Sequence, residues 1–320
     1  SGTVTTLAGA AGQSGAVDGS AAQARFNAPQ GIAATAAGVV YVADTGNHVI
    51  RRIASDGTVS TLAGSAGSAG TVDGNGASAR FTSPRGLALD AAGNLLVAEA
   101  QAVRRVTPAG AVTTVAMPGS GGIADIAVGA GGDLYVVRGA VYRVAPAGQT
   151  STFTAAPAAS ADGSQSFFTV VAVDAAGSVH LAQRWPLAVQ FGPRYGMVRK
   201  FNGQGVEVAR VEVVFPAGLA TGESGRVLVA CGGGIANTFP TGSTRACSAV
   251  LQLDASYGLT VVAGANDVLN APPLTPADSR GSLDAVGPAA RFSFPQDVAA
   301  SASGIFVADT GNHTVRRIQP

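Results

Sequence analysis

The side chains that could carry out chemistry in this chain are few and widely spaced. The 320 residues include three histidines. His48 and His313 lie in the repeated phrase TGNH, which predicts that both stabilise a turn and do not bind metal. His180 lies in the apolar segment VHLAQ, where a partly buried strand histidine is expected before a catalytic one. The histidines therefore assign no catalytic residue.

Cys231 and Cys247, which are the two cysteines of the chain, flank the segment GGGIANTFPTGSTRA at 232–246. Two free thiols and half of a metal site are the alternatives to a disulfide, but no further cysteine or nearby histidine supports zinc. We predict a cross-strand disulfide that closes the base of a long loop. Such a bond implies an oxidising compartment, so the expected location is extracytoplasmic: periplasm, cell surface or secreted.

Aromatic residues make up only 6% of the chain, and several of them concentrate in two insertions. The segment RWPLAVQFGPRY at 184–195 contains the single tryptophan, and 232–246 adds a phenylalanine and an arginine. Trp, Tyr and Arg dominate interface hot spots. The alternative is a small satellite core beneath these loops. The ligand-binding candidates are Trp185, Phe191, Arg194, Tyr195, Phe239 and Arg245.

A repeated unit must position these residues. The phrase GVVYVADTGNHVIRRI at 38–53 returns as GIFVADTGNHTVRRI at 304–318. Each unit contains four short apolar segments that alternate with period two and are separated by Gly, Asp, Asn, Ser and Pro, the pattern of strands and turns. Six copies are found, aligned on the glycines at 38, 93, 132, 177, 225 and 304.

The sixth copy stops after its third strand, and the chain opens with SGTVTTLAG at 1–9, which matches the fourth strand of the other units. The pattern predicts an all-β, six-bladed β-propeller with four-stranded blades, whose last blade is closed by the N-terminal strand. Residues 1–320 then form one domain. The predicted blades span about 29–64, 84–116, 123–155, 168–214, 216–264, and 295–320 with 1–9.

Aligning the first strands of the units brings carboxyl groups to the propeller axis. Blades 3 and 6 are opposite in a ring of six, so Asp125 and Asp297 are expected to face each other across the channel. They could hold a cation, activate water, or pair with Arg85 in blade 2. The aligned positions are Gly31, Gly86, Asp125, Val170, Gly218 and Asp297.

A loop phrase that occurs three times places an aspartate seven residues before an arginine. We predict that this Asp–Arg pair braces a compact loop and that the following phenylalanine anchors it in the sheets. One aspartate is too few oxygen ligands for a calcium loop. The sets are Asp18, Arg25 and Phe26; Asp73, Arg80 and Phe81; and Asp284, Arg291 and Phe292.

Composition excludes several classes of partner. Twenty basic and 19 acidic residues give a net charge of +1, which argues against nucleic acid. The basic pairs of the third strands are split between the two sheet faces, which indicates salt bridges within or between blades. The apolar runs are too short for membrane insertion. We expect a monomeric propeller, alone or as one domain of a larger surface protein.

The P-x-G-I-A, G-x-x-Y-V-A-D-T-G-N-H and I-R-R-I phrases resemble NHL repeats, and the loop phrase is similar to that of extracytoplasmic bacterial NHL propellers. Known members bind protein or RNA, act as sensors or are lyases, so the resemblance does not fix an activity. The lyases use histidine-bound zinc, and related lactonases use a Glu/Asn/Asn/Asp metal set. Neither set can be assembled from the histidines and axial register of this chain.

The favoured interpretation is a secreted or cell-surface module that binds a protein or a glycan through the loop-rich face of blades 4 and 5. The connections between blades and those between second and third strands emerge on this face. An enzyme is not favoured, no cofactor is predicted, and the only ion considered is a cation in the channel. The alternative is a metal-assisted lyase or hydrolase at the channel mouth, using Asp125 and Asp297.

Overall fold

The computed structural model describes residues 2–115, 117, 121–158, 165–185, 195–222, 225–236, 245–266 and 281–319. These residues form a six-bladed β-propeller in which each blade is an antiparallel sheet of four main strands. The first strand of the chain, β1, covers Thr3–Ala8 and belongs to the last blade. Blade 1 contains, from the axis outward, β2 (Ile32–Ala34), β3 (Val40–Asp44), β4 (Val49–Ile53) and β5 (Val59–Gly64).

Blades 2 and 3 repeat this order, and the two-residue strand β6 (Gly74–Asn75) pairs with the outer edge of blade 2. Blade 2 contains β7 (Leu87–Leu89), β8 (Leu95–Ala98), β9 (Val103–Val106) and β10 (Ala111–Val115). Blade 3 contains β11 (Asp125–Val128), β12 (Leu134–Arg138), β13 (Ala140–Val144) and β14 (Thr150–Thr154).

Blades 4 and 5 have longer strands. Blade 4 contains β15 (Phe167–Val173), β16 (Val179–Arg184), β17 (Tyr195–Phe201) and β18 (Glu207–Val214). Blade 5 contains β19 (Pro216–Thr221), β20 (Val227–Ala236), β21 (Arg245–Leu253) and β22 (Leu259–Asn266). Blade 6 contains β23 (Pro295–Ser301), β24 (Gly304–Asp309), β25 (Thr314–Gln319) and β1.

The last blade combines both ends of the chain. Strand β1 runs antiparallel to β25, pairing Thr3 with Gln319 and Thr6 with Arg316. The innermost strands contact one another in sequence order around the whole ring, including β23 with β2. The first and last blades are therefore joined like any other neighbours, and the ring leaves no gap between them.

Stacking of the blades explains the composition. All five residues of β3, VYVAD, are buried, because this strand is covered on both faces by neighbouring blades. At the outer edge of blade 4, β18 alternates half-buried and exposed residues over its first six positions. Strands with two covered faces leave few sites for charge, which accounts for the 12% of charged residues. Within the described part of the chain, no helix is long and apolar enough to cross a membrane.

His48 and His313 end equivalent 3₁₀ turns in a left-handed backbone conformation, with φ of 61° and 58°. The Nδ1 atom of His48 accepts a hydrogen bond of 3.0 Å from the backbone N–H of Ser83. His313 accepts an equivalent bond, also 3.0 Å, from Ala28. The predicted turn-stabilising role is confirmed, and each histidine also ties its blade to the next one.

The recurring loops are braced differently from the prediction. Asp18 pairs at 2.6 Å with Arg51 on β4, whereas Arg25 donates to backbone carbonyl groups of its own loop. The other two loops follow the same rule, pairing Asp73 with Arg104 and Asp284 with Arg316. The predicted Asp–Arg pair within each loop was therefore wrong, because a strand 33 residues further along the chain from Asp18 supplies the partner.

Each of these strand arginines is fully buried and binds two acidic residues at once. Arg51 donates to Asp44, at the end of β3, at 2.9 Å and also to Asp18. Its guanidinium carbon lies 5.0 Å from the ring centre of Phe26, which is fully buried, as predicted. We call the three equivalent sets the charged clamps: Asp18–Arg51–Asp44, Asp73–Arg104–Glu99 and Asp284–Arg316–Asp309.

Candidate functional site

Two rings of residues surround the axis near the face on which the connections between blades emerge. One ring has the predicted axial register, and we call it the floor: Gly31, Gly86, Asp125, Val170, Gly218 and Asp297. The other ring lies one residue earlier in each blade, and we call it the rim: Gln30, Arg85, Ala124, Thr169, Ala217 and Gln296. The innermost strands fix both rings, because their pairing registers hold equivalent residues at equivalent heights.

Asp125 begins β11, and its side chain crosses to the next blade, where the carboxylate accepts a 3.0 Å hydrogen bond from the backbone N–H of Val171. The preceding blade makes room for this side chain. A Cβ atom on Gly86 would lie 2.1 Å from Oδ1 of Asp125. The side chain of Asp125 can therefore take this position only because residue 86 is a glycine.

The same arrangement recurs in the opposite blade. The carboxylate of Asp297 accepts hydrogen bonds of 2.9 Å from the backbone N–H groups of Ile32 and Val298. A Cβ atom on Gly218, in the preceding blade, would lie 2.5 Å from Oδ1 of Asp297. The structure thus places both predicted aspartates in the channel, each fitted into the space left by a glycine.

The two carboxyl groups have unusual proton affinities. Burial raises the pKa of Asp125 to about 7, although backbone N–H donors act in the opposite direction. Burial and the charge of Asp125 raise the pKa of Asp297 well above its ordinary value. At neutral pH the pair therefore carries less than its full double negative charge, and it can both donate and accept a proton.

A cavity of about 270 Å³ lies over the floor, and we call it the mouth cavity. Besides the rim and most of the floor, it is lined by Phe167 and Arg184 of blade 4. The residue Phe167 is 43% exposed. A second cavity, of about 280 Å³, extends along the six innermost strands and shares Asp125 and Asp297 with the first. The aspartates therefore border both compartments of the channel.

Two arginines bring positive charge to the mouth cavity. Arg85 is exposed on the rim. Arg184 is more enclosed, since burial lowers its pKa, and its Nε donates a 2.8 Å hydrogen bond to the carbonyl oxygen of Pro216. Among the described residues, no ion pair of 4.0 Å or less joins Arg85 or Arg184 to Asp125 or Asp297. The predicted alternative, in which Arg85 pairs with one of these aspartates, was therefore wrong.

Sequence reasoning missed part of this site. It singled out Arg194 but not Arg184 in the same insertion, and it overlooked Gln30, Thr169 and Gln296 on the rim. The signal for the rim was present, because its residues precede the axial register by one position in every blade. Arg184 could have been found by aligning the second strands, because it occupies the position that follows the second strand in blade 1.

The histidines do not assemble a metal site. His180 is buried, its Nδ1 lies 2.6 Å from the hydroxyl of Tyr257 and its Nε2 lies 3.2 Å from Asp174. Burial lowers the pKa of His180, which fits the predicted buried strand histidine. Over the described ranges, no group of three or more His, Cys, Asp or Glu side chains could hold a metal ion. The histidine-bound zinc of NHL lyases therefore does not fit this chain.

Cys231 on β20 and Cys247 on β21 form a disulfide, which confirms the predicted bond. Both residues are fully buried, and their Cα atoms lie 5.6 Å apart. The bond joins the two strands below the connection 237–244, so it closes the base of the blade 5 insertion. The physical consequence is a covalent constraint that holds β20 and β21 together.

The predicted aromatic candidates are only partly described. Trp185 is half-buried and follows β16 directly, so it is next in sequence to the cavity-lining Arg184. Tyr195 and Arg245 begin β17 and β21, but their side chains fall outside the described part. Two further segments fall outside it entirely, and they contain Phe191, Arg194 and Phe239.

Several solved structures share this fold. An auxiliary nutrient binding protein from Bacteroides ovatus is 15% identical, with a TM-score of 0.62 over 99% of this chain and 76% of that one. A gluconolactonase from Xanthomonas campestris is 13% identical, with a TM-score of 0.61 over 99% and 89%. A catalytically inactive virginiamycin B lyase from Staphylococcus aureus is 12% identical, with a TM-score of 0.55 over the full length of both chains. At these identities the likeness establishes the fold alone.

Sequence comparison gives a narrower result. Residues 10–73 match the model of the teneurin NHL domain, and this segment includes the first TGNH turn and the first charged clamp. No curated protein matches the chain. The repeated phrases and the matching segment agree in their resemblance to NHL repeats, and the six four-stranded blades show that the protein is a six-bladed β-propeller.

Proposed function

We propose that this propeller is an extracytoplasmic binding module that takes a protein or a glycan on its loop-bearing face, at the mouth cavity and the adjoining insertions of blades 4 and 5. The observation that carries the proposal is the mouth cavity itself, a concave site lined by polar side chains with Phe167 and Arg184 on the blade 4 side. Concave sites with a few convergent polar groups are the usual place of ligand binding. The Cys231–Cys247 disulfide supports an oxidising location.

Trp185 gives the proposal its most direct test. It is half-buried and directly follows Arg184, which lines the cavity, and tryptophan is a typical hot-spot residue. The wild-type protein should be screened against arrays of glycans and of peptides. For each hit, Trp185→Ala should weaken binding at least tenfold in calorimetric titration, and Tyr195→Ala should weaken it in the same direction.

Val206→Ala provides the matched control. Val206 is 58% exposed in the turn before β18, on the face opposite the mouth cavity, so its truncation removes apolar surface of another region. This variant should bind as wild type does. Hits whose affinity is unchanged by the tryptophan and tyrosine substitutions, or is reduced only by Val206→Ala, would overturn the proposed face.

A second candidate is a hydrolase or lyase that works through the channel carboxyl groups. The observation favouring it is that the pKa of Asp125 is raised to about 7, where a carboxyl group can act as general acid or base at neutral pH. A metal-assisted form has two carboxylates to rely on, with no third ligand of the usual types among the described residues. Stoichiometric metal in protein purified without added metal would favour this candidate over the binding module.

A further inference from the structure

Arg184 is larger than its structural position requires. It aligns with Thr45 in blade 1, and both side chains donate to the carbonyl oxygen of the proline at the start of the next blade. The bond is 2.8 Å from Arg184 Nε to Pro216 and 2.7 Å from Thr45 Oγ1 to Pro84. Thr310 makes the equivalent bond in blade 6. A threonine is sufficient for this contact, so the terminal guanidinium nitrogens of Arg184 are not needed for the bond between the blades.

The two aspartates of the floor likewise carry charge that the fold does not require. At the register of the aspartates, blades 1, 2 and 5 have glycine and blade 4 has valine, so the ring closes without a carboxyl group in these blades. Asp125 and Asp297 each accept one hydrogen bond from the next blade and one from the following residue of their own blade, which leaves about half of their acceptor capacity unused. Two buried carboxyl groups also destabilise each other's charged form, a disadvantage for a purely structural residue.

The two sets of charges border one cavity without neutralising each other. The arginines and the aspartates all line the mouth cavity, yet no ion pair joins the two sets among the described residues. Enclosed charges without partners are unfavourable unless water or a ligand pairs with them. The cavity presents guanidinium groups on one side and carboxyl groups on the other, so it suits a ligand that carries both signs.

We propose that the mouth cavity binds a small zwitterion, with its ammonium group on Asp125 and Asp297 and its carboxylate on Arg184 and Arg85. The inference rests on the proposed function, because it assigns a ligand class to the same face. The volume of about 270 Å³ is below the usual range for drug-sized ligands and fits a molecule of amino-acid size. The ammonium group binds deeper, since the aspartates form the floor and Arg85 is exposed on the rim.

The test compares zwitterions with their singly charged relatives. Glycine, 4-aminobutyrate and 6-aminohexanoate, which differ in the separation of their charges, are titrated calorimetrically into the whole chain at pH 7.5. Methylamine and acetate, butylamine and butyrate, and hexylamine and hexanoate are the matched probes. At least one zwitterion should bind tenfold or more tightly than both of its matched probes. If every zwitterion binds no better than its amine or its acid, the proposal is overturned.

Two substitutions locate the effect. Arg184→Thr installs the residue that blade 1 uses for the same interblade bond, so the scaffold contact is retained while the charge is lost. Asp297→Asn keeps an acceptor for the N–H of Ile32. Each variant should remove the tenfold advantage of the zwitterion, whereas Arg210→Thr, at an exposed site on β18, should retain it. An advantage that persists in both cavity variants overturns the assignment.

Arg85→Thr keeps the proposal testable if Arg184→Thr fails to fold, since Arg85 is exposed. It should lower the affinity for the zwitterion and leave the affinity for the matched amine unchanged. Failure of the ligand class is distinct from failure of the proposed function. If no zwitterion binds but a glycan or peptide hit still loses affinity in Trp185→Ala, the loop-bearing face remains the binding site and only the zwitterion is rejected.

Discussion

Blades 6, 1 and 2 differ from blades 3, 4 and 5 at two equivalent positions. In the first group the second strand is followed or ended by an acidic residue, and a buried arginine on the third strand completes a charged clamp. In the second group the strand pairing places other combinations there: Arg138 and Tyr142, Gln183 and Arg199, and Cys231 and Leu251. The two halves of the ring are thus stabilised by different chemistry.

The outer edges of the two groups differ in the same way. Each clamped loop also bridges the outermost strand of the blade it leads into, as Gly19 does with Val59 on β5 and β6 does with β10. In blade 4 the outer strand β18 exposes Val208 to 55%. Covering an edge prevents unwanted strand pairing. The loops of the clamped half therefore serve the structure, whereas the insertions at 184–195 and 232–246 occur in blades 4 and 5, in the other half.

The largest expected effect comes from breaking a clamp. Arg51→Met removes the cation that pairs with Asp44 and Asp18, and it leaves Asp44 buried without its partner. Loss of one member of a buried ion pair costs about 3–5 kcal/mol. The free energy of unfolding, measured by urea denaturation with intrinsic fluorescence, should fall by this amount.

Arg143→Met is the matched change in the other half. The side chain of Arg143 is 43% exposed where it pairs with Asp133, the residue before β12. Exposed pairs contribute about 0–1 kcal/mol, so this variant should unfold close to wild type. Equal losses in the two variants would contradict the distinction between a clamped and an unclamped half.

The disulfide of blade 5 should have the next largest effect. Cys231 occupies the position of a clamp acid, and the bond to Cys247 closes a chain segment with a sequence separation of 16. A loop of about 15 residues predicts a stabilisation of about 3 kcal/mol. The double variant Cys231→Ser, Cys247→Ser should lose about this much, and the reductant TCEP should destabilise wild type but not the variant. Destabilisation of the variant by TCEP would show that the reductant acts elsewhere.

The fold was largely predictable because its information is repeated. Six copies of one strand pattern fix the number of blades, and the TGNH turns reproduce the same interblade bond in blades 1 and 6. The disulfide was predictable for a local reason, since both cysteines sit on adjacent strands around one insertion. Repetition and short sequence distance are the two conditions under which a single sequence specifies its contacts.

The clamps and the cavity show where this reasoning ends. Two arginines recur at a constant distance from Asp18 and its equivalents, and the shorter spacing favoured Arg25 as the partner. In the structure the loop folds over the edge of the blade, and Asp18 pairs with Arg51 instead. Arg184 was passed over because its role depends on Pro216, a residue of the next blade. Contacts between blades depend on how the sheets stack, and the alternation of apolar residues within a strand does not encode that.

Asp297 and Asp125 occupy equivalent positions in the two halves, and their mutual repulsion gives the smallest effect, with a distinctive pH dependence. Their pKa values are raised in the folded protein, so the folded state binds more protons than the unfolded state between the ordinary value of 3.8 and the raised values. The stability they contribute therefore falls as pH rises through this window. Asp297→Asn removes one ionisable group while Asp125 remains.

The stability of the variant relative to wild type should be higher at pH 8 than at pH 4, by about 1 kcal/mol or more, because each unit by which the folded-state pKa of Asp297 is raised is worth about 1.4 kcal/mol. Thermal unfolding at the two pH values measures the difference. The buried acids of the clamps are present in both proteins, so their own pH dependence cancels. An equal loss of stability at both pH values would mean that the carboxylate of Asp297 is needed for the bond to Ile32 and that repulsion across the channel is negligible.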